Sequence, residues 1–230
     1  MSIQCILFDL DGTLLDTSYD FAYALNKTCQ EFSQPPLRYQ DIRKVVSQGG
    51  LAMTQLAFPD LSGDELQARR THFLKIYFDN IARHTQLFPS LEAGLQALAN
   101  NAIPWGIVTN KPGWLTAELL THFNFPSTPH SIVSGDTLAV RKPHPEPLWL
   151  AAQQCQVEPQ HCLYIGDHPR DIKAGVNAGM RTAAALFGYI PEDSTAQDWQ
   201  ADYHFGTPYE LTEFLTTLTT SPHSNLKEML

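Results

Sequence analysis

The chain has 230 residues, 43% of them apolar and 17% charged, with a formal net charge of −9. That length and apolar share fill one large core, or a core plus a smaller insert, and no run approaches the roughly 18 consecutive apolar residues of a membrane helix. The negative charge opposes binding to a nucleic-acid backbone or an anionic lipid surface, so an anionic ligand has to be held by local donors and metal.

The first element is a strand. Ile3 to Phe8 is apolar apart from Gln4 and stops at Asp9-Leu10-Asp11-Gly12-Thr13. Side chains alternate along a strand, so Asp9 and Asp11 share a face at a sheet end unless the turn at Gly12 re-aims one of them. The chain enters this strand with no basic flank, so no secretory signal is expected. Cys5, Cys29, Cys155 and Cys162 form no C-x-x-C pair and read as reduced core thiols of a cytoplasmic protein.

From Asp16 to about His84 the periodicity is helical. Phe21, Ala24, Leu25, Thr28 and Phe32 recur at threes and fours until Pro35-Pro36 stop them. A short helix through Ile42, Val45 and Val46 ends at Gly49-Gly50, and a third runs from Leu51 to Phe58. Ser62, with Glu65 three residues on, predicts a capping box opening a long helix through Leu66, Phe73, Ile76, Tyr77 and Ile81. After Phe88-Pro89, strands at 104–108, 131–133, 163–165 and 182–187 alternate with helices at 91–98, 114–123, 147–155, 171–178 and 211–218. The tail from Ser221 is polar and expected to fray. Short apolar strands alternating with helices imply a parallel sheet covered on both faces. The expected fold is therefore α/β: a Rossmann-like core of residues 1–15 and 86–230, with residues 16–85 inserted as a helical-bundle cap. No signal for oligomeric state is legible.

Ligands of open parallel sheets bind beyond the carboxyl ends of the strands. The predicted strand ends deliver Asp9 and Asp11, then Thr109-Asn110, a loop with Arg141-Lys142-Pro143, and Gly166-Asp167 with Asp171 four residues on. Unit charges about 4 Å apart interact by roughly 4 kcal/mol at an effective dielectric near 20. Asp9, Asp167 and Asp171 drawn to one point must therefore keep protons or surround a hard cation. Carboxylates without histidine or thiolate suit magnesium, and magnesium with one lysine and small donors suits a phosphoryl group. A carboxylate attacking phosphorus splits one displacement into two, and a second carboxyl two residues on can serve leaving group and water in turn.

The motifs D-x-D-G-T at 9–13, Thr109-Asn110, Lys142-Pro143 and Gly166-Asp167 with Asp171, in that order, resemble the haloacid dehalogenase superfamily, mostly phosphatases. Thr109-Asn110-Lys111-Pro112 is similar to its phosphoglycolate phosphatase group. Val45-Val46-Ser47 and Phe187-Gly188-Tyr189-Ile190 are similar to N-acetylmuramate 6-phosphate phosphatases. The resemblance implies Asp9 as nucleophile and metal ligand, and Asp11 as acid/base that binds metal through its carbonyl. It implies Thr109 and Lys142 on the phosphate, with Asn110 helping through its backbone, Asp167 as a further Mg2+ ligand and Asp171 supporting it. Dehalogenation in the superfamily does without a carboxylate at the place of Asp11, so the expected activity is a phosphatase acting on a small phosphorylated metabolite, 2-phosphoglycolate first. N-Acetylmuramate 6-phosphate or another sugar phosphate, pyrophosphate, a phosphomutase reaction and a non-catalytic phosphometabolite-binding protein are the alternatives. The loop His168-Pro169-Arg170 departs from the family's small residues, and Arg43, Gly49 and Gly50 sit where related caps select substrate.

Overall fold

The computed structural model describes residues 2–191 and 195–218, so the polar tail from Ser221 lies outside the described residues. Six strands form one parallel sheet in the order β5-β4-β1-β6-β7-β8: β1 (Cys5–Phe8), β4 (Trp105–Val108), β5 (Ser131–Val133), β6 (Cys162–Gly166), β7 (Arg181–Ala185) and β8 (Tyr203–Phe205). All four residues of β1 are buried, as a central parallel strand requires. Its two faces feed different clusters. Ile6 and Phe8 pack with Trp105, Ile107 and Ile165, while Cys5 and Leu7 pack with Val108, Val133, Leu148 and Tyr164. Strand order reverses direction at β1, which opens a crevice at its carboxyl end.

Helices α5 (Leu91–Asn100), α6 (Gly113–Leu120), α7 (Glu146–Gln154), α8 (Pro169–Asn177) and α9 (Pro208–Thr217) flank the sheet. In α5 the buried residues Leu91, Gly94, Leu95 and Leu98 recur at i, i+3, i+4 and i+7, the stripe of a helix with one face inward. Four further helices come after the first strand: α1 (Ser18–Glu31), α2 (Tyr39–Arg43), α3 (Gly50–Ala57) and α4 (Gly63–Phe78). Phe21, Met53, Phe73 and Tyr77 from this group join the same apolar cluster as Phe8 and Trp105, so the helical group and the sheet share a core.

Several elements differ from expectation. Leu15–Asp16 (β2) and Gln86–Leu87 (β3) pair antiparallel where the helical group leaves and rejoins the sheet, too short to register as alternation. The helix expected through Val46 ends at Arg43, and Val46–Gln48 forms a separate 3-10 turn. Helix α4 ends at Phe78, before Ile81. Ser62 caps it in an extended conformation without a side-chain bond; the capping box forms instead at α8, between His168 and Asp171. Strand β8, Tyr-His-Phe, is hidden in the sequence by its polar centre. All four cysteines are buried and free. Among the described residues no helix is long and apolar enough to cross a membrane.

Candidate active site

The carboxyl ends of β1 and β4, the loop before α7 and the first turn of α8 meet at one cavity of about 940 Å3, lined by Asp9, Asp11, Thr109, Lys142, Arg170 and, from the helical group, Ser47 and Arg70 among others; Asp167 and Asp171 stand behind Asp9 and do not line it. Asp9 comes directly after β1. Its Oδ1 accepts from Leu10 N at 2.7 Å and pairs with Lys142 Nζ at 2.9 Å, so both contacts fall on one oxygen. Lys142 is wholly buried, pairs also with Asp171 Oδ1 at 2.8 Å, and donates to Val108 O at 2.9 Å and Tyr164 OH at 2.6 Å. Asn110 brackets the same residue: its Nδ2 donates to Lys142 O at 3.0 Å and its Oδ1 accepts from Lys142 N at 3.1 Å. Its side chain therefore positions the lysine. Thr109 Oγ1 accepts from Lys111 N at 3.1 Å.

Asp167 comes directly after β6, with Oδ2 accepting from Tyr189 N at 2.7 Å and Ser47 Oγ at 2.9 Å. Its Oδ1 is buried without a hydrogen-bond partner. Gly12, at φ +86°, makes room for it, since a Cβ there would stand 2.1 Å from Asp167 Oδ2. Asp171 accepts from His168 N at 3.1 Å, a carboxylate on the first turn of α8, where the helix dipole favours it. Oxygens of Asp9, Asp167 and Asp171 lie within 4.8 Å of one another, all three residues buried. Burial, then the charges of Asp9 and Asp171, push the Asp167 carboxyl up to about 8. Burial also raises Asp9, against the pull of Lys142. An orphaned oxygen among three crowded carboxylates fits a hard divalent cation.

This crowding has a measurable consequence. Asp167 holds its proton more tightly folded, at about 8, than unfolded, near 3.9. Its contribution to stability is therefore complete below about pH 4 and lost as pH rises through 8. With chelator present, Tm should fall by several degrees between pH 5.5 and 8.5; Asp167→Asn should flatten that slope, and Mg2+ should raise Tm more at the higher pH. A metal-free Tm with the same slope in both proteins contradicts it.

Asp11 is not part of the three-carboxylate cluster. Its Oδ1 accepts from Thr17 Oγ1 at 2.7 Å and Lys111 Nζ at 2.9 Å. Lys111, buried, also donates to Tyr77 OH at 3.0 Å and lies over the rings of Phe21 and Tyr77 at 4.5 and 4.6 Å. Burial lowers its proton affinity, and Asp11 opposes that. Nothing in the sequence marks Lys111 for this place except its position after Thr109-Asn110. Nor does the sequence mark Ser47 and Tyr189 as partners of Asp167. Tyr189 OH accepts from Thr17 N and Ser18 N at 2.7 and 3.0 Å, so one residue ties Asp167 to the start of the helical group. Arg43 Nη2 donates to Phe187 O at 3.0 Å and its guanidinium lies 4.9 Å from the Tyr189 ring. His168 spends Nδ1 accepting from Arg170 N at 3.2 Å, and Arg170 in turn donates to Ser47 O. Gly49 and Gly50 line the cavity; His168 and Arg43 do not.

The family model for haloacid dehalogenase-like hydrolases matches residues 6–185. A phosphoglycolate phosphatase of Xanthomonas campestris is 40% identical over 91% of this chain and 95% of its own length. An N-acetylmuramic acid 6-phosphate phosphatase of Pseudomonas aeruginosa is 37% identical over 94% and 96%. A Haemophilus somnus protein, itself predicted to be a phosphoglycolate phosphatase, has the same fold in its crystal structure: TM-score 0.83 at 24% identity, covering 93% of this chain and 98% of that one.

Proposed function

Since the chain belongs to the haloacid dehalogenase-like hydrolase family and is a phosphatase within it, we propose that it hydrolyses 2-phosphoglycolate through an aspartyl-phosphate on Asp9, with Mg2+ as cofactor. The observation that carries this reading is the convergence of Asp9, Thr109 and Lys142 on one cavity, with carboxylate oxygens of Asp167 and Asp171 within 4.8 Å of Asp9. Residues 16–85 are read as a cap hinged at β2 and β3.

Asp9 is the nucleophile. Leu10 N and Lys142 fix Oδ1, so the other oxygen is the one free to form the bond to phosphorus as the ester P–O bond breaks. Lys142 and Thr109 hold the phosphoryl oxygens. Asp11 gives its proton to the departing alkoxide, then takes one from the water that attacks the aspartyl-phosphate, releasing phosphate and restoring Asp9. Asp9, Asp167 and the Asp11 carbonyl would hold Mg2+, with Asp171 in support. Bound there, the ion would neutralise charge on the transferring group. Asn110 keeps Lys142 in place, and the cap excludes water.

One observation favours a second substrate. A cavity of about 940 Å3 lies at the upper end of the range for drug-sized ligands and far exceeds a two-carbon ester, so N-acetylmuramate 6-phosphate fits it better by size. Measuring kcat/KM for both esters and for pyrophosphate, with Mg2+ and with chelator, tests the reading. Activity should vanish on chelation and return with Mg2+, and one of the two carboxylate-bearing phosphate esters should lead. Turnover that survives chelation, or a lead for pyrophosphate, contradicts it.

A further inference from the structure

Four cationic side chains besides Lys142 line the cavity, and their partners differ. Lys111 pairs with Asp11. Arg170 donates to Ser47 O and stands near enough to Asp9 to stabilise its charge. Arg141 is exposed at the rim. Arg70 is half-buried, and its Nε is buried with no hydrogen-bond partner. Its side chain makes a single bond, from Nη1 to Gln67 Oε1 at 3.4 Å, a long one, and it pairs with no carboxylate among the described residues. A guanidinium held in a cavity wall with a donor unspent is suited to a ligand anion, and its planar fork matches a carboxylate.

Its place says which part of the substrate it meets. Arg70, Leu74 and Tyr77 stand at i, i+4 and i+7 on α4. Arg70 and Leu74 line the cavity, and Tyr77 touches Lys111 beside Asp11. Seven residues of helix put Arg70 roughly 10 Å along the axis from Tyr77, so it lines the same cavity at a distance from the Asp11–Lys111 pair, with room for a leaving group between them. Gly50 stands directly against Arg70, and Gly49 is fixed by its backbone conformation and not by crowding. A Cβ on Gly50 would lie 3.5 Å from Arg70 Nε and 3.2 Å from Leu74, while Gly49, at φ +91°, has nothing within 4 Å of that position.

We propose that Arg70 binds the carboxylate of the leaving group, so that the enzyme selects phosphorylated carboxylic acids over neutral phosphate esters. The proposal rests on the phosphatase reading above. Both phosphate esters considered there carry a carboxylate, close to the phosphate in one and distant in the other.

The test uses matched pairs: 2-phosphoglycolate against 2-hydroxyethyl phosphate, and N-acetylmuramate 6-phosphate against N-acetylglucosamine 6-phosphate, which lacks the carboxylate. Wild type should favour the charged member of at least one pair. Arg70→Gln should lower kcat/KM for that member by about 10- to 100-fold, mainly through KM, and leave its neutral partner and p-nitrophenyl phosphate within about threefold. Arg70→Lys, which keeps the charge without the fork, should recover part of the loss. Equal losses on both members, no loss on either, or no wild-type preference in either pair overturns the role of Arg70. A wild type inactive on every ester, p-nitrophenyl phosphate included, instead overturns the phosphatase reading and the proposal with it.

Discussion

Asp9→Asn is expected to lower kcat on every phosphate ester by at least about 10^4-fold, the scale seen when a covalent nucleophile is removed. The change is isosteric, and Leu10 N, 2.7 Å from Oδ1, keeps an acceptor. It also relieves crowding among three buried carboxylates. The metal-free variant should therefore fold with a Tm no lower than wild type, and lost turnover will reflect chemistry, not unfolding. Residual turnover within tenfold of wild type would assign the attack on phosphorus to another group.

The second large effect belongs to Lys142. Its side chain is 0% exposed and meets Asp9 at 2.9 Å and Asp171 at 2.8 Å. Lys142→Ala leaves those carboxylates buried and uncompensated, a change costing about 3–5 kcal/mol. In a chain of this size that lowers Tm by roughly 10 °C. Activity should fall further than folding alone explains, by about 10^2- to 10^3-fold in kcat below the melting range, because the ammonium no longer stabilises the transferring phosphoryl group. Lys142→Met, which fills the volume, should recover part of the stability and none of the rate. Thermal melts and steady-state kinetics on the three proteins separate the two contributions. A Met variant with near-native kcat would leave Lys142 a purely structural role.

Much of the fold is legible in the sequence because parallel strands between helices leave continuous apolar runs. Trp105–Val108 and Cys162–Gly166 are wholly buried, and each stops where a polar residue begins. Thr109, just past the first, lines the cavity, and Asp167, just past the second, lies within 4.8 Å of Asp9. Strand β8 escapes because an edge strand buries only part of Tyr203-His204-Phe205, and β2 and β3 because two residues carry no period. At the site, the hidden part depends on contacts across the fold. Ser47 reaches Asp167 over 120 residues, and Lys111 reaches Tyr77 over 34. No local pattern marks such pairs. The resemblance suggests Asn110 as a backbone donor; its side chain also clasps Lys142 from both sides.

The proposed reaction requires a covalent bond between Asp9 and phosphorus. Asp11→Asn, given Mg2+ and p-nitrophenyl phosphate, keeps a leaving group that needs little help from a proton and slows the water step, so the intermediate should accumulate. Quenching in acid, reducing the acyl phosphate with borohydride and sequencing by mass spectrometry should find homoserine at position 9 in a fraction matching the nitrophenol burst. Nitrophenol released with Asp9 unmodified, or the modification on another residue, would contradict it.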